Sequence, residues 1–205
     1  YEKFAGICEV EAIRSDMGNG DEICLIARCN KKRCTSLLIF SNDEGKTWSE
    51  PVEAPVSLNG ERHKADYTPD GRLFITFRSI ERNKDAYKKN NVEPVKRNWY
   101  SEGWVAWVGT YEDLKKGKEG QYRIKIAHTY LNNQDKPAIA ANGDTGYCGN
   151  VVLPDGTVVT SSYGIFSPEE MEEGIQKTDK GKQKRRTYIV SKRIRLSDVD
   201  KLVNK

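Results

Sequence analysis

Residues 41–48 read SNDEGKTW, and their chemistry describes a tight hairpin. Asp43 can accept hydrogen bonds from the backbone of its own turn, and Gly45 permits a positive φ. Ser41 and Trp48 stand at the two ends, where the indole can cover the turn. The chain on either side supplies β-rich runs at 36–41 and 50–56.

Working outward from this hairpin, three stretches line up as repeats. The first, 9–28, ends in ICLIAR. The second, 62–78, carries YTPDGRLFITFR, and the third, 147–163, carries VLPDGTVVTSSY. Asp70-Gly71 and Asp155-Gly156 each join two β-rich runs, a strong hairpin signal. In the first repeat SDMGNGDE takes the place of that turn. Arg78 lies eight residues past Asp70 and Tyr163 eight past Asp155, while Arg28 ends the matching strand of the first repeat. Arg28, Arg78 and Tyr163 are therefore positional equivalents. On the other side of the turns Arg62 aligns with Tyr147, and His63 with Cys148.

Each unit then continues. In the second, 104–111 and 122–129 supply a third and fourth strand, with EDLKKGKEGQ as the turn between them. In the third, 186–195 supplies a third strand and no obvious fourth follows. Ser197 is expected to cap a short helical tail, SDVDKLV. Four antiparallel strands per unit describe a propeller blade, and a closed ring needs about 4–8 of them. The expectation is one partial, all-β propeller domain over 1–205, with about three four-stranded blades near 6–56, 61–130 and 146–196. It reads as the C-terminal half of a longer propeller, closed by the remaining N-terminal blades or, in the alternative, by another copy.

The composition excludes several classes. The chain of 205 residues is 37% hydrophobic and 31% charged, with a net charge of +4. No apolar run approaches the roughly 20 residues of a membrane span. The basic excess sits in loops at 82–97 and 177–186, as a solvated face or a dock for anions. No stacking platform on a basic stripe points to nucleic acid. Two distant histidines do not make a metal site, and no cofactor is expected. Cys8, Cys24, Cys29, Cys34 and Cys148 are five, so at least one thiol stays unpaired in a monomer. Cys29 and Cys34 fit neither a CxxC redox motif nor a zinc knuckle, and read as small buried residues. The chain starts at Tyr1 without a signal-peptide pattern, as a processed or truncated chain does. Two insertions, 80–102 and 167–185, interrupt the repeats. The first can rim a binding site with Tyr87, Trp99 and Tyr100; the second reads as a solvated excursion.

Ligands of such a ring bind near its axis, reached from the start of each first strand or the end of each second. This rule selects Glu9, Glu11, Arg28, Arg62, His63, Asp66, Arg78, Asp144, Tyr147 and Tyr163. Arginines at equivalent strand ends present planar forks that grip a carboxylate. They suit an acidic sugar; alternatively they pair with Glu9, Glu11 or Asp66 and hold blades together. Glu9 and Glu11 are two apart and are expected to share one strand face.

The octapeptide fits the Asp-box pattern S-x-D-x-G-x-x-W at all four fixed positions. In this the chain resembles the sialidase superfamily of six-bladed, Asp-box (BNR-repeat) propellers, in the manner of the C-terminal half of a bacterial member. In that family the box is structural and lies away from the axis. The site motifs also have counterparts. CEVEAI followed by LIAR resembles the family's catalytic Glu and substrate-binding Arg, so Glu9 or Glu11 and Arg28 take those places. GYCGNVVLPDG is similar to the context of the nucleophilic tyrosine, which puts Tyr147 there. The resemblance implies a retaining glycoside hydrolase acting on an acidic glycan, in an extracytoplasmic (periplasmic or secreted) location. Tyr147 would attack with a Glu as general base, as sialidases do in place of a carboxylate nucleophile. The family's first arginine and its catalytic Asp belong to N-terminal blades. Its third arginine precedes the last blade, where SEGWVAWVGTY has none and Arg78 can substitute.

Two other readings stay open. A related propeller enzyme acting on a uronate glycan, as hydrolase or lyase, would use His63 or a tyrosine as base beside a neutralising arginine. A non-catalytic glycan-binding or scaffold propeller needs no nucleophile. His128, late on an outer strand, reads as structural.

Overall fold

The computed structural model describes residues 4, 6–30, 34–82, 99–127, 145–164 and 188–204. They form an all-β architecture of three successive antiparallel sheets. The first contains β1 (Ile7–Arg14), β2 (Ile23–Cys29), β3 (Leu37–Ser41) and β4 (Val52–Glu53) in sequence order. The second contains β5 (Gly60–Tyr67), β6 (Leu73–Arg82), β7 (Trp99–Gly109) and β8 (Tyr122–Ala127), again in order. The third contains β9 (Gly146–Val152), β10 (Thr157–Gly164) and β11 (Tyr188–Arg195). The insertion segments 83–98 and 167–185, with Tyr87, Asp144 and His128, lie outside the described residues.

The turns explain the meander. In the second sheet Thr68 N–H donates to the Arg72 carbonyl at 2.8 Å, and the Thr68 hydroxyl donates to Asp70 at 2.6 Å. Gly71 takes a φ of +83°. The third sheet repeats this turn, with Leu153 N–H on the Thr157 carbonyl at 2.8 Å and Gly156 at φ +78°. A proline-aspartate-glycine run supplies both the side-chain acceptor and the positive φ that such a turn needs.

SNDEGKTW is wired as its residue types predict. Asp43 Oδ1 accepts from Thr47 N–H at 2.8 Å and from the Ser41 hydroxyl at 2.9 Å; its Oδ2 accepts from the Thr47 hydroxyl at 2.6 Å. The Trp48 indole N–H donates to the Gly45 carbonyl at 3.0 Å and so folds over the turn. Gly45 has φ +78°, and a Cβ there would stand 3.2 Å from Trp48 Cζ2. Gly45→Ala is therefore expected to cost about 1–2 kcal/mol. A thermal melt reads this as a drop of several degrees; an unchanged Tm would show that the indole is not seated on the turn.

Alternation of side chains sets the core. Leu73, Ile75, Phe77, Val105 and Trp107 face the first sheet and pack with Ile13, Cys24, Ile26 and Leu38. Phe74, Trp104, Ala106 and Val108 face the third sheet and pack with Cys148, Val158 and Leu196. Strands buried on both faces carry near-continuous apolar runs, which is why LFITF and WVAWV lack a polar face. β5 packs against β1 on one side and β9 on the other, so the first strands of all three sheets come together.

Two connections differ from expectation. The segment after β7 is a short helix, α1 (Tyr111–Lys115), where a plain turn was expected. Thr110 and Asp113 form a reciprocal capping box, and Leu114 is fully buried. The tail helix α2 (Leu196–Val203) has Arg195 at its N-cap with no side-chain cap bond, so Ser197 sits inside the first turn. What docks α2 is Asp200, which accepts from Arg72 at 2.8 and 3.0 Å and from the Tyr122 hydroxyl at 2.6 Å. Among the described residues no helix is long and apolar enough to cross a membrane.

Candidate functional site

The three first strands share a defect at the same place. Ladder register slips between Cys8 and Val10 in β1, between Glu61 and Lys64 in β5, and opposite Ser161/Tyr163 in β9. At each slip one residue turns left-handed: Glu9 at φ 48°, Arg62 at φ 62°, Tyr147 at φ 49°. None is glycine, so each conformation costs on the order of 1 kcal/mol or more. Bulges re-aim side chains and occur often beside functional sites.

Here they bring three side chains together from three sheets. The Tyr147 hydroxyl donates to Glu9 Oε1 at 3.0 Å. Arg62 Nε lies 3.6 Å from the same oxygen. The Arg62 guanidinium carbon stands 4.3 Å over the centre of the Tyr147 ring, a cation–π contact.

The second strands complete the cluster. Arg28 pairs across its ladder with Cys8, Arg78 with Glu61, and Tyr163 with Gly146, so the equivalence of these strand ends holds in the ladders. Arg28 Nη1 donates to Glu9 Oε2 at 2.7 Å, and its Nη2 reaches Glu61 Oε1 at 2.9 Å. Arg78 Nη2 bonds the other oxygen of Glu61. Arg62 Nη1 donates to the Tyr163 hydroxyl at 2.6 Å and to the Thr145 carbonyl at 2.9 Å. The network thus holds three guanidinium groups and two carboxylates, a formal excess of one positive charge.

The cluster is layered by depth. Glu61 is 2% exposed, the arginines are mostly covered, and Tyr147 is 63% exposed. Burial raises the pKa of Glu9. Hydrogen bonds from Arg28 and Tyr147, with the charges of Arg28 and Arg62, outweigh that and hold it below the ordinary carboxylate range. Glu9 is therefore a charged acceptor at neutral pH.

Three expected site residues lie elsewhere. Glu11 does not share Glu9's position, because the bulge at Glu9 breaks the two-residue alternation. Its carboxylate accepts from Ala65 N–H at 2.9 Å and from Lys64 Nζ at 3.3 Å, which ties β1 to β5. Asp66 joins that pair through Lys64 at 3.3 Å and does not meet the arginines. His63 is turned inward. Its ring stacks on Phe77 at 5.0 Å, and its Nε2 bonds the Leu58 carbonyl at 3.0 Å. Residue 63 follows the left-handed residue of the bulge, so it points into the core.

Burial pushes the His63 pKa down to about 4. The unfolded chain takes up this proton near pH 6.5 and the folded chain only near 4, so stability is lost as pH falls through that window. The loss from this group is about 3 kcal/mol. His63→Phe is expected to lose less stability than the parent between pH 6.5 and 4. Parallel acid-dependent slopes in urea titrations would refute the burial of this ring.

Glu61 was not singled out from the sequence. The sequence shows only that it stands one residue before Arg62; its place opposite Arg78 comes from the β5–β6 register, which a bulge sets. Among the described residues no group of three or more histidine, cysteine or acidic side chains is placed to hold a metal ion.

No family model matches the chain, and no curated protein matches it. Among solved structures it is similar to a protein of unknown function from Dyadobacter fermentans DSM 18053, at 18% identity and a TM-score of 0.47. The match covers 77% of this chain and 34% of that one; the chain thus spans about a third of that neighbour.

Proposed function

We propose that the three sheets are blades of a sialidase-like β-propeller, and that its cluster processes an acidic carbohydrate as a retaining glycoside hydrolase. One observation carries this reading: the exposed Tyr147 hydroxyl bonded to Glu9 with Arg62 over its ring. Tyr147 oxygen attacks the anomeric carbon as the bond to the leaving oxygen breaks. Glu9 receives the phenol proton, and the positive charge of Arg62 opposes the charge developing beside it. The leaving oxygen takes its proton from an acid outside this cluster. Water then attacks the same carbon and gives a proton to the conjugate base of that outside acid, Tyr147 departs, and Glu9 returns its proton to the phenol.

The arginines supply the preference for an acid. A guanidinium carries five N–H donors, so Arg28 can hold a substrate carboxylate while it bonds Glu9 and Glu61. The formal excess of one positive charge favours a ligand bearing one negative charge. A tyrosine nucleophile suits a substrate that already bears that charge better than a carboxylate does.

Elimination with His63 as base is disfavoured, since that ring is buried on Phe77; elimination would have to use a tyrosine. The test is to incubate the longest form of the protein with sialylated and uronate-containing glycans. A free acidic sugar released with retained anomeric configuration, followed by NMR, supports the proposal. An unsaturated uronate, or an inverted product, overturns it.

A further inference from the structure

Cys29 closes β2, and Cys34 lies just ahead of β3 across the tip of the same hairpin. Their sulfurs stand 3.0 Å apart, roughly 1 Å beyond the length of a disulfide bond. Cys29 is 6% exposed and Cys34 5%; Ala27, Leu37 and Phe4 pack around them. Of the other three sulfurs, Cys8 is the nearest by register: it is half-buried on β1, next to Ile7, which pairs with Cys29. Cys24 lies in the core between the first two sheets and Cys148 in the core between the second and third. Among the described residues no metal-binding set surrounds the pair. Two thiols aimed at each other in an apolar pocket are already in the arrangement that an intramolecular bridge requires.

We propose that Cys29 and Cys34 form a structural disulfide that clasps the β2–β3 hairpin beside Arg28. The inference is independent of the glycosidase reading. The oxidant is a disulfide such as glutathione disulfide. The Cys29 thiolate attacks one of its sulfurs and releases one glutathione, leaving a mixed disulfide. The Cys34 thiolate then attacks the Cys29 sulfur and releases the second glutathione. Two electrons pass to the glutathione pair, and two protons leave the cysteine thiols for the released thiolates. Because both sulfurs end buried, the exchange happens while the hairpin is still open during folding.

The bridge has a local consequence. Cys29 is the neighbour of Arg28, which holds both glutamates of the cluster. A covalent clasp at this strand end limits how far Arg28 can move. It also constrains the unfolded chain, which raises stability. Small bridged hairpins of this kind persist in oxidising compartments, in keeping with the expected extracytoplasmic location.

Trypsin provides a direct readout, because Lys31, Lys32 and Arg33 lie between the two cysteines. The whole chain is refolded in an oxidising glutathione buffer, quenched in acid, alkylated under denaturing conditions and digested. The Cys29 and Cys34 peptides are expected to remain joined, and to separate on reduction. In melts, reductant is expected to lower Tm by about 5 °C, and to leave a Cys29→Ala/Cys34→Ala variant unmoved. Recovery of the two peptides separately, alkylated or glutathionylated, overturns the proposal. So does either cysteine joined to Cys8, Cys24 or Cys148.

Discussion

Under the proposed hydrolase mechanism, Tyr147→Phe is expected to lower turnover of an acidic glycoside by about 10³-fold or more while leaving the fold intact. The size follows from what is removed. Phenylalanine keeps the ring under the Arg62 guanidinium and deletes only the oxygen that donates to Glu9 at 3.0 Å. Loss of a nucleophile acting with its base abolishes nearly all of the chemical step. Tyr147 is largely exposed, so its removal should shift stability within about 0.5 kcal/mol. Tyr163→Phe is the contrast: it deletes an acceptor for Arg62, and so should weaken substrate binding more than turnover. The measurement is initial rates beside thermal melts for both variants. A Tyr147→Phe protein that turns over at the parent rate would move the nucleophile elsewhere. Equal glycan binding by parent and variant, with no product from either, would favour a binding module.

Glu61→Ala is expected to destabilise the chain by about 3–5 kcal/mol, the range for breaking a buried ion pair by removing one partner. Glu61 is 2% exposed and bridges Arg28 on the first sheet to Arg78 on its own. Its loss leaves two guanidinium groups facing each other at low dielectric. Glu61→Gln keeps the shape and an acceptor, so it should fall between parent and alanine. Urea titrations with unchanged slopes would give these differences as shifts in midpoint. A Glu61→Ala protein as stable as the parent would mean that the two arginines find solvent or other partners at little cost. Under the proposed mechanism, activity should fall with Glu61→Ala even in the fraction that remains folded, because Arg28 loses one of its two anchors.

What could be read from the sequence was local. The octapeptide, the two Pro-Asp-Gly turns and the matching of Arg28, Arg78 and Tyr163 rest on residues within a few positions of each other. Turn chemistry dictates them. What failed depended on neighbours far along the chain. Strict alternation put Glu9 and Glu11 on one face, and one left-handed residue undid it. His63 was expected at the site because it stands at the start of a first strand; the bulge at Arg62 turns it onto Phe77 instead. Glu61 became central only because Arg28, thirty-odd positions earlier, reaches it from another sheet. The capping box Thr110–Asp113 was present in TYED, but the glycine-rich run after it suggested a turn.

The left-handed backbone at residues 9, 62 and 147 sets a limit on improving this protein by directed evolution. Glycine adopts those angles without steric cost, so a screen for heat resistance alone should enrich glycine at exposed Tyr147; at Glu9 and Arg62 the ion pairs that would be broken outweigh the relief of strain. That gain would delete a member of the cluster. Libraries that aim for robustness and keep the cluster must therefore hold this position fixed and seek their gains elsewhere.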